Sequence, residues 1–211
     1  MKISEIFSSI QGESSLAGLP FTFVRLAGCN LRCRYCDTSY AWEGGVDLSL
    51  ETVLEEVRKR GIPRVCVTGG EPLLQEETPL LVDRLLDEGY LVTLETNGSL
   101  PISPIRGECR RVVDVKTPGS GEGDSFLMEN LKDLTERDEV KFVITGREDY
   151  EFAREFVETH LSRFRGEILY SPAHGIVEPR LLAQWLVEEK ARGRLNLQIH
   201  KYIFPEESRG V

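Results

Sequence analysis

The predicted strands of this chain end in a recurrent way, and that regularity limits the fold more than any other feature. The run "FTFVRLAG" (21–28) leads into "CNLRCRYCDT" (29–38), "RVCVT" (64–68) into "GGEP", "YLVTLET" (90–96) into Asn97-Gly98, and "RVVDVK" (111–116) into "TPGSGEGDS". Further strands are predicted at "VKFVIT" (140–145) and "EILYSP" (167–172), and the tail "LNLQIHKYIF" (195–204) reads as strand-like or extended. Helical periodicity lies between them: 49–60, with Leu50, Val53, Leu54 and Val57 on one face, Ser49 placed to cap it and Gly61 to end it; 79–88; a short helix in 125–135; 148–161; and 178–192. Strands alternating with such helices predict a mostly parallel α/β sheet. Ligand sites in such sheets form beyond the carboxyl ends of the strands, so the four chemically distinctive segments should share one rim. With neither an internal repeat nor a long linker, the 211 residues predict a single domain over 1–211.

Composition narrows the function. A formal charge of −9 disfavours direct binding to nucleic acid. No apolar run approaches the ~20 residues of a membrane span, and the N-terminus lacks a secretory h-region, which predicts a cytoplasmic protein. Five cysteines, an odd number, argue against a disulfide framework.

Three of those cysteines fall within one loop as Cys29-x3-Cys33-x2-Cys36. Structural zinc is closed and four-coordinate, so a zinc site would need Cys66, Cys109, Asp37 or a histidine as its fourth ligand. Cys66 reads as a buried apolar thiol in mid-strand, and Cys109 lies in a charged loop without partner spacing. The other possibility is a [4Fe–4S] cluster on three thiolates, which leaves one iron open to an exogenous ligand.

The triad, with Tyr35 before its last cysteine, and "GGEP" (69–72) after the second strand resemble the signature of the radical S-adenosylmethionine (SAM) superfamily. The resemblance implies that the open iron chelates the amino and carboxylate groups of SAM, and that Gly70 and its neighbours meet the methionine end. It also implies one-electron cleavage of SAM to a 5′-deoxyadenosyl radical. "EIFSSIQGESSLAGLPFTFVRLAGCN", "CDT", "VTGGEP", "ETNG", "VVDVKTPGSG" and "VKFVI", in that order, resemble the 7-carboxy-7-deazaguanine synthase family from about residue 5 to residue 145.

That resemblance implies an incomplete (β/α) barrel of about six mostly parallel strands, usually dimeric. The implied reaction turns 6-carboxy-5,6,7,8-tetrahydropterin into 7-carboxy-7-deazaguanine with loss of ammonia, and requires magnesium and an electron donor such as flavodoxin. Carried over by position, Ile10, Gln11, Gly12, Arg25 and Thr68 bind substrate. Gly70, Asp114, Val115 and Lys116 bind SAM, although the family more usually carries Ser-Pro-Lys at the last three. Cys29, Cys33 and Cys36 hold the cluster, and Thr38 binds magnesium, with Asp37 either supporting the ion or capping a turn. Arg25 has the alternative of a strand-end ion pair; Glu95 approaches the pterin or pairs with Lys116, and His200 closes the substrate pocket or lies at the surface. The "PGSGEG" stretch reads as a flexible rim loop, and the tail "PEESRGV" has no counterpart in the family. Two alternatives remain: an activase that installs a glycyl radical on a partner protein, and a non-catalytic zinc- or cluster-binding module.

Overall fold

Each connection after the first parallel strand returns the chain to the amino end of the sheet, so the parallel strands line up in chain order. The computed structural model describes residues 1–205, 209 and 210; residues 206–208 and 211 of the tail lie outside the described residues. Its elements are β1 (Lys2–Ile10), β2 (Pro20–Leu26), β3 (Val46–Asp47), α1 (Leu50–Arg60), β4 (Arg64–Gly69), α2 (Thr78–Asp87), β5 (Leu91–Thr96), β6 (Arg110–Asp114), β7 (Glu139–Ile144), α3 (Arg147–His160), β8 (Glu167–Pro172), α4 (Pro179–Glu188), β9 (Arg194–Leu195) and α5 (His200–Ile203). They form a nine-stranded sheet in the order β3-β1-β2-β4-β5-β6-β7-β8-β9. Every neighbouring pair from β2 to β9 is parallel, and β1 is antiparallel to both of its neighbours. The sheet is the expected mostly parallel α/β type and is not a closed barrel.

Local signals work where they are unambiguous. Ser49 Oγ accepts from the Thr52 amide at 3.1 Å, and Gly61 ends α1 in the left-handed region at φ 65°. An N-cap of this kind contributes about 1 kcal/mol. The predicted helix in 125–135 is instead a 3₁₀ segment, Met128–Lys132. Buried Asn130 pins it, donating to Gly98 O and Leu100 O and accepting from Ile102 N. The helix predicted through 192 stops at Glu188, with Lys190 in the left-handed region. The tail is not one extended stretch but a two-residue strand and the short α5. β1 and β3 were not predicted. Ile6 of β1 packs on the main core while Phe7 stacks on Phe23 across the other face, which hides the period of two.

Alternation along the parallel strands separates core from site. Val24, Leu26, Val65, Val67, Val92 and Leu94 face outward under α1 and α2. Phe142, Ile144, Ile168 and Tyr170 do the same under α3 and α4. Their neighbours in sequence, Arg25, Thr68, Glu95, Asp114 and Lys141, point inward and line a cavity. Cys66 is fully buried as expected, and Cys109, in the charged loop before β6, buries its thiol in the main core.

Because β1 runs antiparallel, the loop after it (residues 11–19) emerges at the amino ends of the parallel strands. It crosses beneath the concave face: the Ser14 amide donates to Asn196 Oδ1 (2.8 Å), the Ser15 amide to Glu139 Oε2 (3.0 Å), and Arg110 Nη1 to Ser15 Oγ (2.6 Å). The open barrel thereby acquires a floor.

At the same end, Arg111 and Asp138 form a buried ion pair with an Nη2–Oδ2 distance of 2.5 Å. Arg111→Met is expected to destabilise the protein by about 3–5 kcal/mol, because it strips a buried carboxylate of its cation. Chemical denaturation of the two proteins measures this, and equal midpoints would contradict it.

Candidate active site

The cavity occupies about 440 Å³ on the concave face, and all three loop cysteines line it. None is disulfide-bonded, and each is partly exposed. The cysteine loop is held from three directions. Gly28, at φ 104°, donates its amide to Ala41 O at 2.8 Å. The amides of Arg32 and Arg34 donate to Glu122 Oε1 (2.7 Å) and Ser120 O (3.0 Å), so the "PGSGEG" stretch is a clamp on the cysteine loop and not a loose rim. Asn30 Oδ1 accepts from Asn97 Nδ2 (3.1 Å), Asn30 Nδ2 donates to Ser99 Oγ (2.8 Å), and Ser99 Oγ donates to Asn97 Oδ1 (2.7 Å). This closed triangle ties the loop to the end of β5. Glu122, Asn30 and Ser99 had no individual motif to mark them.

Burial pushes the Cys33 thiol up to about 11 against the opposing pull of Lys116, and burial also raises Cys29. Such thiols give up their protons to a metal and hold them otherwise. Among the described residues no three His, Cys, Asp or Glu side chains converge tightly enough to hold a single metal ion. The donor set on the loop is three thiolates, one short of the four ligands of structural zinc, and suits a polynuclear cluster.

The glycines of "GGEP" also meet a need internal to the protein. A Cβ on Gly70 would lie 2.3 Å from Gly28 O and 2.7 Å from Cys29 Cβ, and one on Gly69 would lie 2.3 Å from Leu26 O. The protein's own backbone, besides any ligand, demands these glycines. Glu71 is completely buried, and burial raises its carboxyl. It accepts from Leu73 N (2.9 Å), Asn97 N (2.7 Å) and Thr96 Oγ1 (2.9 Å), locking the ends of β4 and β5 together.

The predicted substrate residues meet on the inner face. Arg25 and Thr68 are register partners on β2 and β4. Thr68 Oγ1 donates to Glu95 Oε2 (3.1 Å) and Gln11 Nε2 to Glu95 Oε1 (3.2 Å). Glu95 thus orders Gln11 and Thr68 and is not Lys116's partner. Arg25 makes the strand-end ion pair with Glu5 (2.7 Å through Nε) and also faces the cavity; Tyr40 OH holds the same Glu5 oxygen at 2.7 Å. Ile10 and Gly12 line the floor, and His200 sits over Gly12, where an added Cβ would lie 1.8 Å from its Nδ1. His200 is therefore a wall of the cavity and not a surface residue; burial lowers its pKa.

Thr38 Oγ1 donates to Asp37 Oδ1 at 3.0 Å, while the other Asp37 oxygen takes Lys201 of α5. Lys116 Nζ pairs with Asp114 Oδ2 at 2.8 Å. Asp114 Oδ1 and Tyr35 OH are buried without a partner among the described residues, and both residues line the cavity, so they fit an occupant that carries hydrogen-bonding groups. The Val115 side chain packs into the second core, away from the cavity lining.

An open parallel sheet with three unpaired thiols and a glycine strand end facing one cavity defines a class, and the sequence comparison agrees: residues 24–159 match the Radical SAM superfamily. The chain belongs to that superfamily. It is 45% identical to 7-carboxy-7-deazaguanine synthase of Koribacter versatilis over the full length of both chains, and 42% identical to the Chlorobaculum tepidum enzyme of that name, covering 100% of this chain and 97% of the relative. Within the superfamily, this chain is a member of the 7-carboxy-7-deazaguanine synthase family. The crystal structure of QueE from Escherichia coli superposes with a TM-score of 0.77 at 26% identity, covering 93% of this chain and 92% of that one.

Proposed function

We propose that this chain, acting as one domain over residues 1–211, converts 6-carboxy-5,6,7,8-tetrahydropterin to 7-carboxy-7-deazaguanine with release of ammonia. The observation that carries this reading is the placement of three partly exposed thiols together with Gln11, Arg25 and Thr68 in one cavity. Cys29, Cys33 and Cys36 would hold a [4Fe–4S] cluster, with SAM against Gly70, Asp114 and Lys116 and the main chain at Val115. Bound together, cluster and SAM supply the hydrogen-abstracting radical chemistry that no side chain here provides.

The protein's own residues bind, orient and enclose. Gln11 is both donor and acceptor, suited to the amide and amine edge of a pterin, and Glu95 fixes its rotamer. Glu5 takes the Nε edge of Arg25, which leaves the Nη edge for a carboxylate or ring oxygen. Thr38 with Asp37 offers hard oxygens for magnesium at the rim. Gln198, His200 and Lys201 enclose the cavity from the C-terminal side. The finer context belongs to the same proposal: a cytoplasmic homodimer, reduced by a flavodoxin-like donor and binding no nucleic acid.

The deciding experiment is anaerobic incubation of the reconstituted enzyme with the carboxypterin, SAM, reductant and magnesium, followed by mass spectrometry. A product lighter by ammonia is expected. SAM cleavage with the pterin unchanged would overturn the proposal and leave the activase reading; zinc without iron would favour the non-catalytic module. Arg25→Ala is expected to raise KM for the pterin roughly 10- to 100-fold, the loss of a charged hydrogen bond, with little change in pterin-independent SAM cleavage. Equal losses in both would assign Arg25 to folding.

A further inference from the structure

Polar side chains along the cavity wall form one continuous line. Lys116 Nζ donates to Asp114 Oδ2 at 2.8 Å; Lys141 Nζ lies 3.6 Å from that same oxygen and donates to Glu13 Oε2 at 3.0 Å. Gln198 Nε2 then donates to Glu13 Oε1 at 2.8 Å. Sheet register brings Lys141 to Asp114, because the two are paired neighbours on β6 and β7 with both side chains inward. Glu13 arrives from elsewhere, on the irregular loop beneath the sheet. Its main chain is anchored through its neighbours, but where its carboxylate sits depends on what its two oxygens meet.

The two carboxylates differ in support. Asp114 has two ammonium partners, the nearer being Lys116, and would remain compensated without Lys141. Glu13 has one cation in direct contact, Lys141, which is 13% exposed, and otherwise a neutral amide. Burial works to raise Glu13, and Asp37 adds repulsion. Lys141 and Gln198, with a smaller contribution from His200, outweigh both and hold it below the usual glutamate range. Burial likewise works to neutralise Lys141, but Glu13 and Asp114 keep it charged. Glu13 directly follows Gln11 and Gly12, and its amide donates to Gln11 Oε1 at 3.2 Å.

We propose that Lys141 is a positioning residue for the floor loop: by holding the Glu13 carboxylate it fixes Gln11 and Gly12 in the arrangement that receives the pterin. The assignment deepens the proposed function and rests on it. Lys141 touches no reacting atom. It acts through Glu13, and its removal affects substrate capture more than cofactor chemistry.

The test compares reconstituted wild type, Lys141→Met, Glu13→Gln and the double variant, reading KM and kcat for the carboxypterin together with SAM cleavage in its absence. Lys141→Met is expected to raise KM about tenfold or more, equivalent to ~1.4 kcal/mol, with kcat and pterin-independent cleavage within about threefold. The double variant is expected to lose no more than Lys141→Met alone, since both single changes break the same contact. An unchanged KM, matching losses in all three readouts, or additive losses in the double variant would each overturn the assignment. Wild type that cleaves SAM but leaves the pterin intact would instead overturn the proposed function itself, and this assignment with it.

Discussion

Cys33→Ala is expected to abolish cluster assembly and reduce turnover to the uncatalysed background while leaving the polypeptide folded. The loss is total because two thiolates cannot hold a cluster that needs three, and the reaction has no other source of radical chemistry. The fold should survive because the loop is anchored by main-chain bonds that do not involve the thiol: Arg32 N to Glu122, Arg34 N to Ser120 O, and Cys36 N to Cys33 O at 3.2 Å. The change at a partly exposed position should cost the apo protein no more than about 1 kcal/mol. Cys66→Ala and Cys109→Ala are the controls, since both thiols are fully buried, Cys109 in the main core and Cys66 beneath the cavity, outside the loop. Iron and sulfide content of the four reconstituted proteins decides the matter; a full complement in Cys33→Ala would remove the ligand assignment.

The second large effect is expected from Gly70→Ala, a single added methyl group. Its Cβ would overlap Gly28 O and Cys29 Cβ, which are atoms of the cysteine loop and cannot rotate aside. Either the end of β4 or the first ligand must move. Overpacking of this kind costs about 1–3 kcal/mol and here displaces cofactor-binding elements. SAM affinity should fall at least about tenfold, the equivalent of ~1.4 kcal/mol, together with a loss of cluster occupancy. Equilibrium binding of SAM to the reconstituted variant measures it, and wild-type affinity with full iron content would show that the loop yields without consequence. A Cβ on Gly12 makes the contrast clear, since its three nearest atoms all belong to the rotatable His200 side chain.

Much of the fold was legible because hydrophobic period is a local property. β8 falls on its predicted residues, and the other parallel strands through β8 and helices α1, α2 and α3 lie within a few residues of prediction. The cysteine loop, "GGEP" and the end of β6 were readable as one rim because a parallel sheet places successive strand ends on one side. What escaped was set by long-range partners. β1 has apolar residues on both faces because the main core takes Ile6 and Phe23 takes Phe7. Of the two readings open for Glu95, approach to the pterin or a pair with Lys116, the pair is not made: Asp114, the inward residue two positions before Lys116, takes it first, leaving Glu95 to Gln11 and Thr68. His200 carries no local signal for a cavity wall; a main-chain bond from Ile199 N to Gly12 O, at 2.9 Å, brings it there.

By itself, then, the amino-acid order determined the alternating sheet, the thiol triad and the class of chemistry, because period, spacing and ligand type are written within a few residues of one another. Only the tertiary structure decided which charges share the cavity, why Gly70 must lack a side chain, and how the loop after β1 supplies the floor. Each of those depends on groups brought together by an antiparallel first strand and a returning C-terminus, and such contacts leave no periodic trace along the chain.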